Sequence, residues 1–261
     1  MASVAPACTV KWISSSIVSS PVASATRLHK WLTSMAYCKL EGSVMRFDFC
    51  PWAPRLLMRR GLLALMLLAL ALFASSAYSA SKTVVVLGDS LSAEYGLARG
   101  SGWVSLLQNR LHAEKRNATV VNASISGDTT SGGASRLPAL LKKHRPDILI
   151  IELGGNDGLR GLSLAATESN LRTMIKAGQD AGAKVLLLGM RLPPNYGATY
   201  TENFYALYGK LARESRTALV PFLLAGVADR AELFQPDRIH PAAAAHPVML
   251  DNVWPVLKPL L

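Results

Sequence analysis

Five short runs of branched, nearly unbroken apolar residues most narrow what this chain can fold into: Thr83 to Leu87, Thr119 to Ala123, Ile148 to Leu153, Val185 to Gly189 and Ala218 to Phe222. A strand with one face in water alternates polar and apolar residues, so continuous hydrophobicity requires cover on both faces. The stretches between the runs carry helical spacing instead: Trp103, Leu106, Leu107 and Leu111; Leu137, Leu140 and Leu141; Leu164, Leu171, Met174 and Ile175; Phe204, Leu207, Tyr208 and Leu211. Strand and helix therefore alternate. The pattern predicts an α/β chain, a three-layer α/β/α sandwich on a five-stranded parallel sheet with right-handed crossovers. Pro241 to Leu257 is expected to form a last helix, with Pro241 in its first turn and Pro255 near its end.

Open sheets of this kind bind ligands outside the carboxyl ends of their strands. The polar clusters of the sequence fall at those ends. Gly88-Asp89-Ser90 follows the first run, Ser124-Ile125-Ser126-Gly127-Asp128-Thr129 the second, and Gly154-Gly155-Asn156-Asp157 the third. Acyl transfer at such a site would need Ser90 to lose its proton during attack, and a hydroxyl does not do so unaided near neutral pH. His240 could take that proton. Asp237, three residues earlier, could hold the imidazole in the correct tautomer, so one short loop would deliver both groups. The backbone N–H of Ser90, the backbone N–H of Gly127 and the side-chain amide of Asn156 are candidate donors to the oxyanion that then forms. Activity should fall as His240 takes up a proton. Asp89 is expected to brace the turn, and His112, His144 and His246, which lack motif context, to serve solvent-facing or core roles.

The segment before the first run reads differently. Met58-Arg59-Arg60, the apolar stretch Gly61 to Ala74 and the small residues up to Ala80 follow the charged, apolar, small-residue order of a secretory signal. The apolar stretch is short of the roughly 20 residues that span a bilayer. Residues 58–80 are therefore read as a signal peptide and residues 81–261 as one hydrolase domain. Residues 1–57 are read as an unstructured extension or as translation from a start placed too far upstream. An exported, periplasmic or secreted protein with no stable membrane span after processing is expected. Cys8, Cys38 and Cys50 all lie upstream, so the processed chain would offer neither disulfides nor a thiolate metal site. Of the net charge of +11, +6 falls in the first eighty residues, and the rest is too diffuse to argue for nucleic acid.

Gly88-Asp89-Ser90-Leu91-Ser92, Gly127 within Ser-Gly-Asp-Thr, Gly154-Gly155-Asn156-Asp157 and Asp237-Arg238-Ile239-His240-Pro241 resemble the four blocks of the SGNH (GDSL-type) hydrolases. Residues 121–129 and 151–161 resemble the bacterial periplasmic thioesterase I, lysophospholipase and arylesterase subgroup. The resemblance covers roughly Thr83 to Leu261. It implies a flavodoxin-like sheet of order 2-1-3-4-5, and hydrolysis of esters and thioesters through an acyl-enzyme without metal or cofactor. It also implies Ser90 as nucleophile, His240 as base, Asp237 as its orienter, and Gly127 and Asn156 in the oxyanion hole. One departure is Glu94, where the subgroup is expected to carry a small residue; a carboxylate there would either disfavour anionic substrates or face solvent.

The loop from Arg191 to Gly197 follows the fourth run and is stiffened by Pro193 and Pro194. Its Leu192 and Tyr196, with Leu159 and Leu162 after the third block, are expected to line an acyl groove. The substrates implied are aryl esters, acyl esters, thioesters and lysophospholipids, handled by a monomer. Two alternatives remain at this level: a carbohydrate O-deacetylase, and a non-catalytic module that binds lipid or carbohydrate.

Overall fold

The structure, a computed structural model, describes residues 81–261; the expectations for residues 1–57 and 58–80 lie outside the described residues. The five apolar runs form strands β1 (Lys82–Gly88), β2 (Ala118–Asn122), β3 (Ile148–Glu152), β4 (Lys184–Leu188) and β5 (Ala218–Val220). They make one parallel sheet of order β2-β1-β3-β4-β5. Val84 to Leu87, Ile148 to Ile151 and Leu186 to Leu188 are wholly buried, as strands covered on both faces must be.

The cover comes from helices α1 (Trp103–Ala113), α2 (Thr130–His144), α3 (Gly155–Leu159), α4 (Leu164–Asp180), α5 (Ala198–Ser215) and α6 (His246–Leu257). Helix α1 packs on α6, whereas α2 packs on α4 and α4 on α5, giving the two outer layers of the sandwich. Most of the helical positions read from spacing are buried: Trp103, Leu107 and Leu111 on α1, Leu137 on α2, Leu171, Met174 and Ile175 on α4, Phe204, Leu207, Tyr208 and Leu211 on α5, while Leu106, Leu140, Leu141 and Leu164 are partly buried against the core. Burying each such side chain is worth about 1.5–3 kcal/mol. Tyr208 keeps a polar handle inside the core, donating from its hydroxyl to the Leu153 carbonyl at 3.0 Å.

The tail departs from expectation. Helix α6 begins at His246 rather than at Pro241, and Pro247 occupies its first turn. Pro241 instead forms an antiparallel bridge with Phe234, and Ala242 N–H donates to the Leu233 carbonyl at 2.7 Å. These bonds pull the chain back on itself and close a loop over residues 233–242. The last strand is also shorter than read, because Pro221 has no N–H to continue its ladder. No described helix is long and apolar enough to cross a membrane.

Candidate active site

Strand β1 delivers Ser90 to the carboxyl edge of the sheet through a turn that only glycine can start. A Cβ on Gly88 would lie 2.8 Å from Glu152 Oε2 and 2.9 Å from both Ser124 Oγ and Ser92 Cβ, so a side chain there would displace the loops on either side. Beyond it, Leu91 N–H donates to Asp89 Oδ1 and Ala93 N–H to the Asp89 carbonyl. Ser90 therefore sits in a hydrogen-bonded turn and caps no helix.

The closed loop at residues 233–242 brings the other two groups. Asp237 Oδ1 accepts from the backbone N–H of both Ile239 and His240, each at 3.0 Å, and Arg238, directly after Asp237, takes a left-handed φ of 57°. The second oxygen, Oδ2, stands 2.7 Å from His240 Nδ1, and His240 Nε2 stands 3.0 Å from Ser90 Oγ. The backbone N–H of His240, then the imidazole, then the N–H of Ile239 hold the Asp237 carboxyl down at about 2. Ser90, His240 and Asp237 thus form one continuous relay across 150 residues of sequence.

Around Ser90 the donors are arranged by the neighbouring strand ends. Among the described residues no acceptor takes the backbone N–H of Ser90 or of Gly127. Gly127 has a φ of 77°, a conformation that costs glycine little. Its loop is anchored by Arg136 of α2, whose guanidinium pairs with Asp128 at 2.8 Å and donates to the carbonyls of Ala123 and Gly88. Asn156 directs its amide to Asp89 Oδ2 at 3.0 Å and to the Asp128 carbonyl at 2.9 Å. That amide ties the first three blocks together, and reaching an oxyanion would require it to share or exchange one of these bonds. Asp157, next to it, accepts from Thr130 N–H at 2.9 Å and Thr130 Oγ1 at 2.5 Å, pinning α3 to the start of α2.

Behind Ser90 lie two buried carboxyls. Burial pushes Asp89 up to about 6, against the pull of the Leu91 N–H and the Asn156 amide. Burial, and then the charge of Asp89, pushes Glu152 well above the usual carboxyl range. Glu152 Oε2 accepts from Ser92 Oγ at 2.8 Å and from Asp89 N–H at 3.2 Å, and its Oε1 has no partner among the described residues. Sequence reasoning took Glu152 for an ordinary strand residue, since nothing local announces that its carboxyl turns inward beneath Gly88.

The expected groove residues divide. Leu162 is exposed and Leu159 partly buried beside the core, but Leu192 is only 9% exposed. Leu192 packs over Gly158, where a Cβ would meet its methyl groups at 2.6 and 2.8 Å, so it supports the loop from below and presents little surface to a substrate. Arg191, stacked 3.9 Å from the Tyr205 ring, holds the start of this loop against α5. Tyr196 donates to the Leu159 carbonyl at 3.1 Å, and Tyr200 donates to that of Leu162 at 2.9 Å. Both phenols fix the loop that carries the two leucines. Among the described residues the exposed large hydrophobics are Tyr95, Ile125, Leu162 and Ile239, one on each loop that brings a site residue. Three of these four were not foreseen; Ile125 and Ile239 sit inside quoted blocks, so an apolar residue in a polar loop was the available signal.

Two further expectations resolve here. Glu94 is half-buried, with its carboxylate engaged within its own loop. Its carboxylate accepts from Gly100 N–H at 3.0 Å, Gly102 N–H at 2.9 Å and Ser105 Oγ at 2.7 Å, folding the chain down onto α1. Burial opposes the charge, yet the Gly100 bond and its neighbours leave the carboxyl below its usual range. His246 takes a core role, its Nδ1 accepting from Trp103 N–H at 3.0 Å at the start of α1.

Residues 86–248 match the family described as GDSL-like Lipase/Acylhydrolase. The chain is 53% identical over 207 residues to Esterase TesA of Pseudomonas aeruginosa, covering 79% of this chain and 100% of that protein. It is 44% identical over 183 residues to Thioesterase 1/protease 1/lysophospholipase L1 of Escherichia coli strain K12, covering 70% of this chain and 86% of that protein. A crystal structure of TesA superimposes with a TM-score of 0.68 at 56% identity, covering 69% of this chain and all of that one.

Proposed function

This chain belongs to the GDSL-like lipase/acylhydrolase family, a hydrolase acting on ester bonds, and we propose that it cleaves carboxylic esters and thioesters through an acyl-enzyme on Ser90. The observation that carries this reading is the relay of 3.0 Å from Ser90 Oγ to His240 Nε2 and 2.7 Å from His240 Nδ1 to Asp237. His240 takes the hydroxyl proton as Ser90 Oγ bonds to the acyl carbon. Asp237, held ionised near neutral pH, stays a carboxylate and steadies the imidazolium. The N–H groups of Ser90 and Gly127 and the Asn156 amide receive the oxyanion. Collapse of the tetrahedral adduct breaks the bond to the leaving group, which accepts the proton from His240. Water then repeats the sequence on the acyl-serine, returning the carboxylic acid and free Ser90.

The exposed apolar side chains of Ile125, Leu162 and Ile239 around the site favour an acyl chain or aromatic ring on the substrate: aryl esters, acyl thioesters or lysophospholipids. The same chemistry is named for the relatives, an esterase in one and a thioesterase and lysophospholipase in the other. Export, with residues 58–80 as the signal and residues 81–261 as the working domain, is part of the proposal and is checked by sequencing the amino terminus of the processed protein. The catalytic reading is tested by hydrolysis of p-nitrophenyl esters from acetyl to palmitoyl, with one acyl thioester, beside Ser90→Ala. Activity beyond acetyl that disappears in the variant supports it. Acetyl-only activity would point to a deacetylase, and no activity at all to a binding module.

A further inference from the structure

Tyr95 occupies a place that the reaction sequence above leaves unused. Its ring lies with its centroid 4.3 Å from that of His240 and tilted 38° to it, while half of the side chain remains exposed. A half-exposed tyrosine is normally free to choose among rotamers. Here the backbone on both sides is fixed. Glu94, immediately before it, holds a φ of 58° and is tied to Gly100, Gly102 and Ser105. Tyr95 N–H donates to the Ser90 carbonyl at 3.4 Å, and its carbonyl accepts from Gln235 Nε2 at 2.8 Å. Gln235 in turn donates from its backbone N–H to the His240 carbonyl at 2.7 Å and from its side chain to that of Pro241 at 3.1 Å. The loop after the nucleophile and the loop bearing the base are thus clasped to each other by Gln235, and the two rings meet as a consequence.

We infer that Tyr95 is a positioning residue for the general base: its ring braces the His240 imidazole toward Ser90 and favours the imidazolium that exists only while the proton is in transit. An aromatic face within about 6 Å of a cation attracts it through the ring quadrupole. The neutral imidazole of the resting enzyme gains much less, so the contact strengthens as the transition state forms and acts on kcat rather than on binding. The inference rests on the proposed roles of Ser90 and His240. The other charged or titratable groups facing the imidazole are Asp237 at Nδ1 and the buried Asp89 behind Ser90, and a change at Tyr95 removes neither.

The test compares the wild type, Tyr95→Phe, Tyr95→Leu and Ser90→Ala in kcat and KM from pH 5 to 9 on p-nitrophenyl butyrate, with NMR titration of the His240 ring. Both hydrogen bonds of Tyr95 are made by its backbone, so either substitution keeps the clasp. Tyr95→Leu should lose about two- to fivefold in kcat with KM unchanged. Its acid limb and its His240 titration should both move about 0.3–0.7 unit to lower pH, since the protonated ring loses its support. Tyr95→Phe, which keeps the aromatic face, should match the wild type. A rise in KM with kcat and the acid limb unchanged would make Tyr95 a wall of the substrate site and overturn the inference; so would a Phe variant as impaired as the Leu variant. Activity surviving in Ser90→Ala would remove the catalytic reading itself, whereas its loss there with an unaffected Tyr95→Leu would remove only the role of the ring.

Discussion

Asp89→Asn should change how stability depends on pH, and the size of the change follows from the burial of this carboxyl. In the fold Asp89 is 2% exposed and pushed up to about 6, against 3.8 for the free group. A carboxyl raised in the folded state binds its proton more tightly there than in the unfolded chain. Its contribution is therefore fully present below pH 3.8 and is lost as pH rises through 6. Two units at about 1.4 kcal/mol each give a loss of about 3 kcal/mol between pH 4 and pH 7. Glu152, whose carboxyl burial also pushes up, contributes a slope of the same sign to both proteins, so the comparison with the variant isolates the part due to Asp89. Asparagine can replace only one of the two bonds that Asp89 accepts, from Leu91 N–H or from the Asn156 amide. The lost bond costs about 1–3 kcal/mol at every pH, so the diagnostic quantity is the slope and not the absolute stability. Urea unfolding at pH 4, 5, 6 and 7, followed by tryptophan fluorescence, should show wild-type stability dropping relative to the variant by about 3 kcal/mol over the range. Parallel curves for the two proteins would refute the reasoning.

Asn156→Ala should lower kcat by about 10²–10³ with little change in KM, the effect of removing one oxyanion donor, and steady-state kinetics on a short aryl ester would read it. Gly88→Ala forces a methyl within 3 Å of Glu152, Ser124 and Ser92; a melting curve should show it destabilised by about 1–3 kcal/mol. Leu192→Ala, by emptying a buried site, should cost about 2–5 kcal/mol of stability and leave preference among acyl lengths nearly unchanged, whereas Leu162→Ala should shift that preference at unchanged stability. Unfolding curves and the ester series together separate the two.

The sheet was legible because β1, β3 and β4 are buried on both faces, which leaves their sequences no polar alternation to confuse with anything else. The start of the last helix was not. A proline suits both a first helical turn and a residue that needs no N–H partner in a bridge, and only the approach of Phe234 decides for the bridge at Pro241. Ser90, Gly127 and Asn156 stood out as candidates because each lies in a short polar cluster just after a strand, and Asp237 and His240 because they share one short polar run. Leu192 was misjudged for the opposite reason: position on a loop facing the site says nothing about which way the side chain turns, and Gly158 opens a hollow beneath it. Tyr95, Arg136, Glu152 and Gln235 act through partners brought near by folding. Gln235 reaches Tyr95 across 140 residues and Glu152 reaches Ser92 across 60, distances over which no local pattern survives.

The central claim is that Ser90 forms a covalent bond to the acyl group with His240 as its base. Trapping measures this directly: the protein is incubated with a p-nitrophenyl alkylphosphonate, released nitrophenol is followed, and the modified peptide is mapped by mass spectrometry. The account predicts one phosphonyl group per chain on Ser90, none on Ser90→Ala, and a rate of labelling in His240→Ala reduced by at least about 10³-fold. Ester hydrolysis without any adduct, or an adduct on another residue that abolishes activity, would contradict it.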